Sequence, residues 1–316
     1  MRCLVGFGAP CHKDGLYSAN HAAMASVPLP SLLPAADTPP HIGRTIDTEN
    51  FPVASRLISA RLRPAIVAYY RMARAADDIA DHPALPAPEK LRRLEAIDAV
   101  LSGRGDAAAG DDAQQAARDL RPVFTARGLT IEHARHLLQA FRADAINRPC
   151  RTWSDLLAYC RYSAAPVGRF VLELHNEDRA ARPAADALCS ALQILNHLQD
   201  CQADWRDLHR LYIPAEWLEE VGLGASALLA ARATPALRRV LDRALDGVDR
   251  LHQRATSLPH LLADRGLRMQ AIAVLALSHR LAKRLRRRDP LAERVGVSSL
   301  EKVVALACGA LRGWRR

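Results

Sequence analysis

The stretch Tyr69-Tyr70-Arg71-Met72-Ala73-Arg74-Ala75-Ala76-Asp77-Asp78-Ile79-Ala80-Asp81 reads as the closing turns of a helix that Pro83 stops. Asp77 and Asp81 are four residues apart, so both carboxylates leave one helical face. For helix stability this is a poor choice. Aspartate is a weak helix former, and like charges at this spacing repel by roughly 0.2–0.5 kcal/mol. Acids at the negative end of the helix dipole cost about 0.3–1 kcal/mol each. Three acids in this position call for a compensating cation, and a divalent metal is the obvious one.

The rest of the chain points to helices. Its 316 residues are 49% hydrophobic and 25% charged, enough for one large core or two small ones. Alanine, leucine and arginine dominate and β-branched runs are scarce, which favours an all-α bundle. A net charge of +10 suggests anionic partners such as phosphate esters, nucleic acid or anionic lipid. The seven cysteines are scattered without a CxxC pair, which argues against a secreted disulfide framework and against structural zinc. No run of 18 apolar residues marks a transmembrane helix. Leu4-Val5-Gly6-Phe7 is too short for a signal-peptide core. A cytoplasmic location is therefore expected.

Residues 1–45 are broken by Pro28, Pro30, Pro34, Pro39 and Pro40 and read as an unstructured extension, with Met24 an alternative start. A single helical domain is expected over residues 46–312. A short helix is expected over Phe51–Ala60, then one opened by Pro64 and running to Asp81. Further helices are expected over Glu89–Leu101, Ala113–Arg127, ended by Gly128, and Ile131–Asp144, capped by Thr130. Thr152-Trp153-Ser154-Asp155 has the form of a capping box opening a helix to His175. Pro183 opens one to Trp205, and long helices follow over Pro235–Leu262 and Leu267–Arg288, with a last one over Ser299–Arg312.

A second acid pair, Asp200 and Asp204, repeats the spacing of Asp77 and Asp81, and Gln193 and Asn196 share its face. If the two helices face each other, four to five carboxylates line the mouth of one cavity. Its floor would be apolar: Ile66, Tyr70 and Ala73 on one side, Leu188, Cys189 and Leu192 on the other. Oxygen-only ligands suit Mg²⁺, which keeps waters and bridges to substrate phosphates. Such a gate over a dry pocket suits ionisation of an allylic diphosphate. One DxxxD on a helix is commonly a solvated face; two with polar neighbours are hard to explain that way. The histidines form no ligand set. His197 reads as packing or surface, off the acid face.

These pieces resemble the squalene/phytoene synthase family of head-to-head prenyl-coupling enzymes, from about Thr48 onward. Tyr70 to Asp81 resembles the family's first aspartate-rich motif, with its usual arginine at Arg74. Tyr159-Cys160-Arg161-Tyr162-Ser163-Ala164-Ala165-Pro166-Val167-Gly168 resembles its tyrosine–glycine signature. Gln193 to Asp204, then Arg210-Leu211-Tyr212-Ile213-Pro214, resembles its second aspartate-rich motif. Glu49-Asn50-Phe51-Pro52-Val53-Ala54-Ser55 and Asn196-His197-Leu198-Gln199-Asp200-Cys201 look like the hopanoid-pathway branch that forms hydroxysqualene. The commoner second motif has arginine where Gln199 stands and glutamate where Ala203 stands.

The resemblance implies that presqualene diphosphate, or another prenyl diphosphate, binds with its diphosphate on Mg²⁺ held by Asp77, Asp81, Asp200 and Asp204, with Asp78 nearby. Ionisation, rearrangement and capture by water would follow, with Asp77, Asp81 and Tyr159 as the catalytic set. Arg74 is the expected diphosphate clamp, against an intrahelical salt bridge. Tyr159 would orient the leaving group or carry protons. Tyr70, Gln193 and Asn196 would line the cavity, and Arg210 and Tyr212 would close over the diphosphate. Gly168 would allow a close approach. The rival within the family makes squalene or phytoene from two prenyl diphosphates. A nucleic-acid-binding protein is disfavoured, because carboxylate pairs repel phosphates. The basic run His279 to Arg288 suits a solvated helix C-terminus; its functional reading is peripheral contact with an anionic inner membrane. Association with other hopanoid-pathway enzymes is a further implied partnership.

Overall fold

The computed structural model describes residues 57–314. The expected extension over residues 1–45 and the Glu49–Ser55 signature lie outside the described residues. So does the first part of the expected Phe51–Ala60 helix; its remainder forms turns. Among the described residues every regular element is a helix, as the composition implies.

Four helices make the first half: α1 (Arg63–Asp81), α2 (Ala87–Leu101), α3 (Asp112–Arg127) and α4 (Glu132–Ala145). α1 packs on the other three through a stripe that runs from Ala65 and Ile66 through Tyr69, Met72 and Ala76. Asp77 continues that stripe and is buried where a core residue would stand. The second half holds α5 (Trp153–Ser163), α6 (Ala165–Leu174), α7 (Arg182–Leu208), α8 (Ala215–Glu219), α9 (Pro235–Ala255), α10 (Leu258–Leu261), α11 (Arg265–Arg287) and α12 (Ser299–Trp314). α7 is its axis and packs on α5, α6, α9 and α11. The halves have separate apolar cores. α6 spans them: Phe170 stacks on Tyr69 of α1 with ring centroids 4.1 Å apart, while Leu172 belongs to the second core.

Local chemistry sets most boundaries. Pro64 lies in the first turn of α1. Gly128 ends α3 in the left-handed conformation, φ 61°. Thr152 and Asp155 form the reciprocal capping box that opens α5. Thr130 contributes an Oγ1 that accepts from the Glu132 backbone N–H at 3.3 Å. Two expected helices are shorter than the pattern suggested. The one expected to reach His175 breaks at Ala164, φ −125° and ψ −48°, because Pro166 cannot continue the hydrogen-bond ladder. The one expected to reach Leu262 stops at Ala255, and Pro259 opens the short α10.

Two close approaches fix the helices that carry the polar residues. A Cβ at Gly168 of α6 would lie 2.7 Å from Cys189 Sγ of α7, which bears out the close contact expected there. At Gly247 of α9 a Cβ would fall inside the Trp153 indole. That indole stacks on Trp217 at 5.5 Å and 12°, and the Arg243 guanidinium covers the other ring at 4.3 Å. Trp153 begins α5, so this seat orients the helix bearing Tyr159. Gly247→Ala should lower stability by about 1–3 kcal/mol in urea unfolding, although alanine gains about 1 kcal/mol of helix propensity. Unchanged stability would mean that α5 can shift freely.

A buried polar tie joins α9 to α11: His252 Nε2 lies 2.6 Å from Ser278 Oγ, with both side chains buried. Burial, then the neighbouring His279, holds the His252 pKa down to about 4, with Asp249 opposing. The folded state therefore keeps the ring neutral while the unfolded chain takes up a proton. This contribution is complete above the ordinary histidine range and is lost as pH falls toward about 4. Urea unfolding should show on the order of 2–3 kcal/mol of acid loss between pH 6.5 and 4 from this group. His252→Gln should flatten that part of the profile.

Candidate active site

α1 delivers its three carboxylates to its C-terminal end. Asp77 is buried, Asp78 is exposed and Asp81 is partly covered. The compensating cations in this structure are arginines. Arg74 NH1 lies 3.3 Å from Asp77 Oδ2, and its NH2 pairs closely with Asp78 Oδ1. Arg74 thus makes the intrahelical bridge. Burial works against its charge, but Asp77 and Asp78 outweigh that and raise its pKa above the ordinary range.

Arg210 serves Asp81. It follows α7, where His209 at φ 53° turns the chain out of the helix. Its NH1 pairs closely with Asp81 Oδ1, its NH2 donates to Ala80 O at 2.9 Å, and its Nε donates to Asp144 O at 3.2 Å. One buried guanidinium therefore caps the last turns of α1 and α4, where the helix dipoles favour a cation; Asp144 O accepts from it in addition to the Asn147 N–H at 3.0 Å. Burial opposes this charge, but Asp144, Tyr212 and Asp81 hold the Arg210 pKa above its ordinary value.

Asp144 belongs to the same polar network and was not among the residues expected from the sequence. It ends α4 and is buried. Its Oδ2 accepts from Tyr159 OH and its Oδ1 from Tyr212 OH, each at 2.8 Å, with the two hydroxyls 3.5 Å apart. A signal existed: His133, Leu137, Phe141 and Asp144 lie three or four apart on the α4 apolar stripe. Asp144 also sits at a helix C-terminus, as Asp81 does. Tyr212 is held in place because its loop pairs with residues near Cys150: Cys150 N–H donates to Leu211 O at 3.3 Å and Ala215 N–H to Cys150 O at 3.1 Å.

α7 supplies the other side. Gln193 and Asn196 are buried, not solvated, and Asp204 is buried with them. Asp200 is partly covered. His197, expected off the acid face, lies on its edge, as spacings of four from Gln193 and seven to Asp204 dictate. Its ring stacks on Tyr212 at 3.6 Å, its Nε2 lies 3.3 Å from Gln193 Nε2, and its Nδ1 is 3.8 Å from Asp204 Oδ2. Burial is the main cause holding its pKa down to about 3, so the ring is neutral. Tyr70 is buried in the α1 core, with Ile66 and Ala73.

The structure thus brings Asp81, Asp144, Tyr159, His197, Asp204, Arg210 and Tyr212 into one network. Within it His197, Cys201, Asp204, Arg210 and Tyr212 pack with Leu211, Ile213 and Leu228 around a seam too tight to hold a small molecule. Among the described residues, no three His, Cys, Asp or Glu side chains gather around one point. Gln199 turns away from the acids and donates to Val295 O at 2.5 Å.

An all-α fold with paired acids on two helices, and an arginine–tyrosine loop between them, defines a class of prenyl-diphosphate synthases. The chain belongs to the squalene/phytoene synthase family, whose model matches residues 47–301. It is 40% identical to hydroxysqualene synthase of Rhodopseudomonas palustris over 263 residues, 83% of this chain and 88% of the relative. It is 41% identical to the Sinorhizobium fredii enzyme of the same name, over 80% of this chain and 85% of that one. The crystal structure of squalene synthase HpnC from Alicyclobacillus acidocaldarius is similar at 30% identity and a TM-score of 0.60, covering 74% of this chain and 88% of that one. A dehydrosqualene synthase at 22% identity shares the fold, with a TM-score of 0.71, over 84% of this chain and 92% of that one.

The geometry sets an expectation for the hub. Asp144→Ala leaves two tyrosine hydroxyls without their carboxylate acceptor and removes the acid that offsets the buried charge of Arg210, although the main-chain acceptor of Arg210 remains, and should cost about 3–5 kcal/mol in urea unfolding. Tyr159→Phe removes one hydrogen bond and should cost about 1 kcal/mol. Equal small losses in both would mean that Asp144 is not the hub.

Proposed function

We propose that this protein converts presqualene diphosphate and water to hydroxysqualene and diphosphate. The observation that carries this reading is the pair of acid motifs on α1 and α7, with the arginines and tyrosines of the network between them. The two hydroxysqualene synthases of similar sequence support the choice of product. The exchange is redox-neutral: a carbon–oxygen bond to diphosphate breaks, water supplies the new hydroxyl, and the proton leaves with the diphosphate. No nicotinamide is consumed.

The donor set fits Mg²⁺. Asp77, Asp78, Asp81, Asp200 and Asp204 offer only hard oxygens, two or three to a helix, and Mg²⁺ completes such a set with waters and phosphate oxygens. When bound, the metal would stabilise the charge of the departing diphosphate. The chain's own residues do the rest. Arg74 and Arg210 are fixed cations whose forks match phosphate oxygens. Tyr159, held by Asp144, presents a hydroxyl that orients the leaving group or passes a proton. On this reading the buried amides of Gln193 and Asn196 would orient a water, and Ile66, Tyr70 and Ala73 of one core and Leu188 and Leu192 of the other would have to part to form the apolar floor. That floor keeps other water away from the cation. Substrate and product are both C30 lipids, so peripheral membrane contact and hand-over between enzymes of the same pathway belong to this reading.

The test is product analysis from presqualene diphosphate with Mg²⁺, with and without NADPH. Hydroxysqualene should form equally in both. Squalene formed only with NADPH, or efficient presqualene diphosphate formation from farnesyl diphosphate alone, would overturn the reading. Asp77→Ala and Asp200→Ala should each lower turnover on the order of 10²–10³-fold, and chelation should abolish it reversibly.

A further inference from the structure

α12 is amphipathic in an inverted sense. The face it turns to α11 is small: Ala305, Gly309 and Gly313 are buried there. A Cβ at Gly309 would collide with the backbone of Met269, and one at Gly313 would lie 2.6 Å from Met269 Cγ. Leu306 packs against the core, but four other large apolar side chains face solvent. Leu300 is 72% exposed, Val303 62%, Val304 43% and Leu311 67%. With the exposed Ala307 and Cys308 they form one continuous stripe at helical spacing. Other exposed apolar residues, such as Ile146 and Leu261, are single and ordinary.

The charge around the stripe is one-sided. Glu301 is the only acid in α12, and Arg280 and Arg284 of α11 take it up at 3.3 and 2.6 Å. Lys283, Arg287 and Arg294 are exposed beside the N-terminal end of α12, and among the described residues none of them has an ion-pair partner. From Val303 to Arg316 the sequence has three arginines and no acid. No described helix is long and apolar enough to cross a membrane. An apolar stripe edged by unmatched cations is the pattern of a helix that lies in an anionic lipid interface.

We propose that α12 and the basic end of α11 form a docking surface for an anionic bilayer, with Leu300, Val303, Val304 and Leu311 entering the acyl boundary and Lys283, Arg287 and Arg294 meeting the headgroups. This names the surface for the membrane contact that the proposed function includes, but it is carried by α12 and α11 and not by the acid motifs, so failure of the reaction assay leaves the flotation result to be read on its own.

Flotation of the full chain with phosphatidylcholine vesicles, with and without roughly one third phosphatidylglycerol, tests it. The protein should float with the anionic vesicles, and binding should fall steeply with added salt. Leu300→Asp combined with Leu311→Asp should abolish flotation. Lys283→Glu combined with Arg287→Glu should weaken it on the order of tenfold or more. These side chains are exposed, so the variants should keep the wild-type helical signal and melting temperature. Flotation unchanged in both variants, or absent with anionic vesicles, overturns the proposal. So does a wild-type dimer in light scattering that Leu300→Asp converts to monomer, because the stripe would then belong to a second copy.

Discussion

The buried guanidinium of Arg210 is the contact on which the arrangement of the two halves depends. α1 and α4 end side by side in the first half, each with an acid in its last turn. Alone, Asp81 and Asp144 would sit at two negative dipole ends in a partly dry space. Arg210 comes from beyond α7 in the second half and satisfies Asp81, Ala80 O and Asp144 O together. Lysine could not replace it, because one ammonium lacks the planar fork that reaches three acceptors on two helices. The sharp exit at His209 and the pairing of Leu211 and Ala215 with Cys150 bring the arginine there.

Gln199 gives a departure from the commoner family motif a physical meaning. The glutamine holds the segment around Val295, whose neighbour Gly296 accepts from Arg284. It fastens α7 to the connection between α11 and α12, the helix pair that carries the exposed apolar stripe.

Much of the fold was legible because its signals are local. Pro64, Gly128, the Thr152–Asp155 box and the 3.6-residue periodicity act within a few residues, and the structure follows them. The α5–α6 break was hidden because the apolar pattern runs straight through Ala164, and only the stereochemistry of Pro166 interrupts it. In the site, Asp77, Asp81, Asp200 and Asp204 were visible through repeated spacing. Asp144 and the placement of His197 were not, because their meaning comes from Tyr159 and Tyr212, which reach them across long stretches of chain. Arg74 and Arg210 were visible as cations, but whether they serve a ligand or the neighbouring acids is decided by tertiary contacts.

Those contacts also set the charge balance at the acid-bearing helix ends. Several carboxylates near two helix ends cannot all stay ionised in a poorly hydrated space unless cations lie close by. Arg74 and Arg210 meet that need for the α1 acids, pairing with Asp77, Asp78 and Asp81 and fixing those side chains in place. On the proposed reading, the same two forks suit diphosphate oxygens when metal ions take over the carboxylates. Asp77, Asp78 and Asp81 would then hold the metal, which would supply charge stabilisation to the diphosphate, and the two guanidinium forks would pair with its oxygens. Lysine in place of either arginine would preserve the charge balance but lose the bidentate fit on both sides of the exchange.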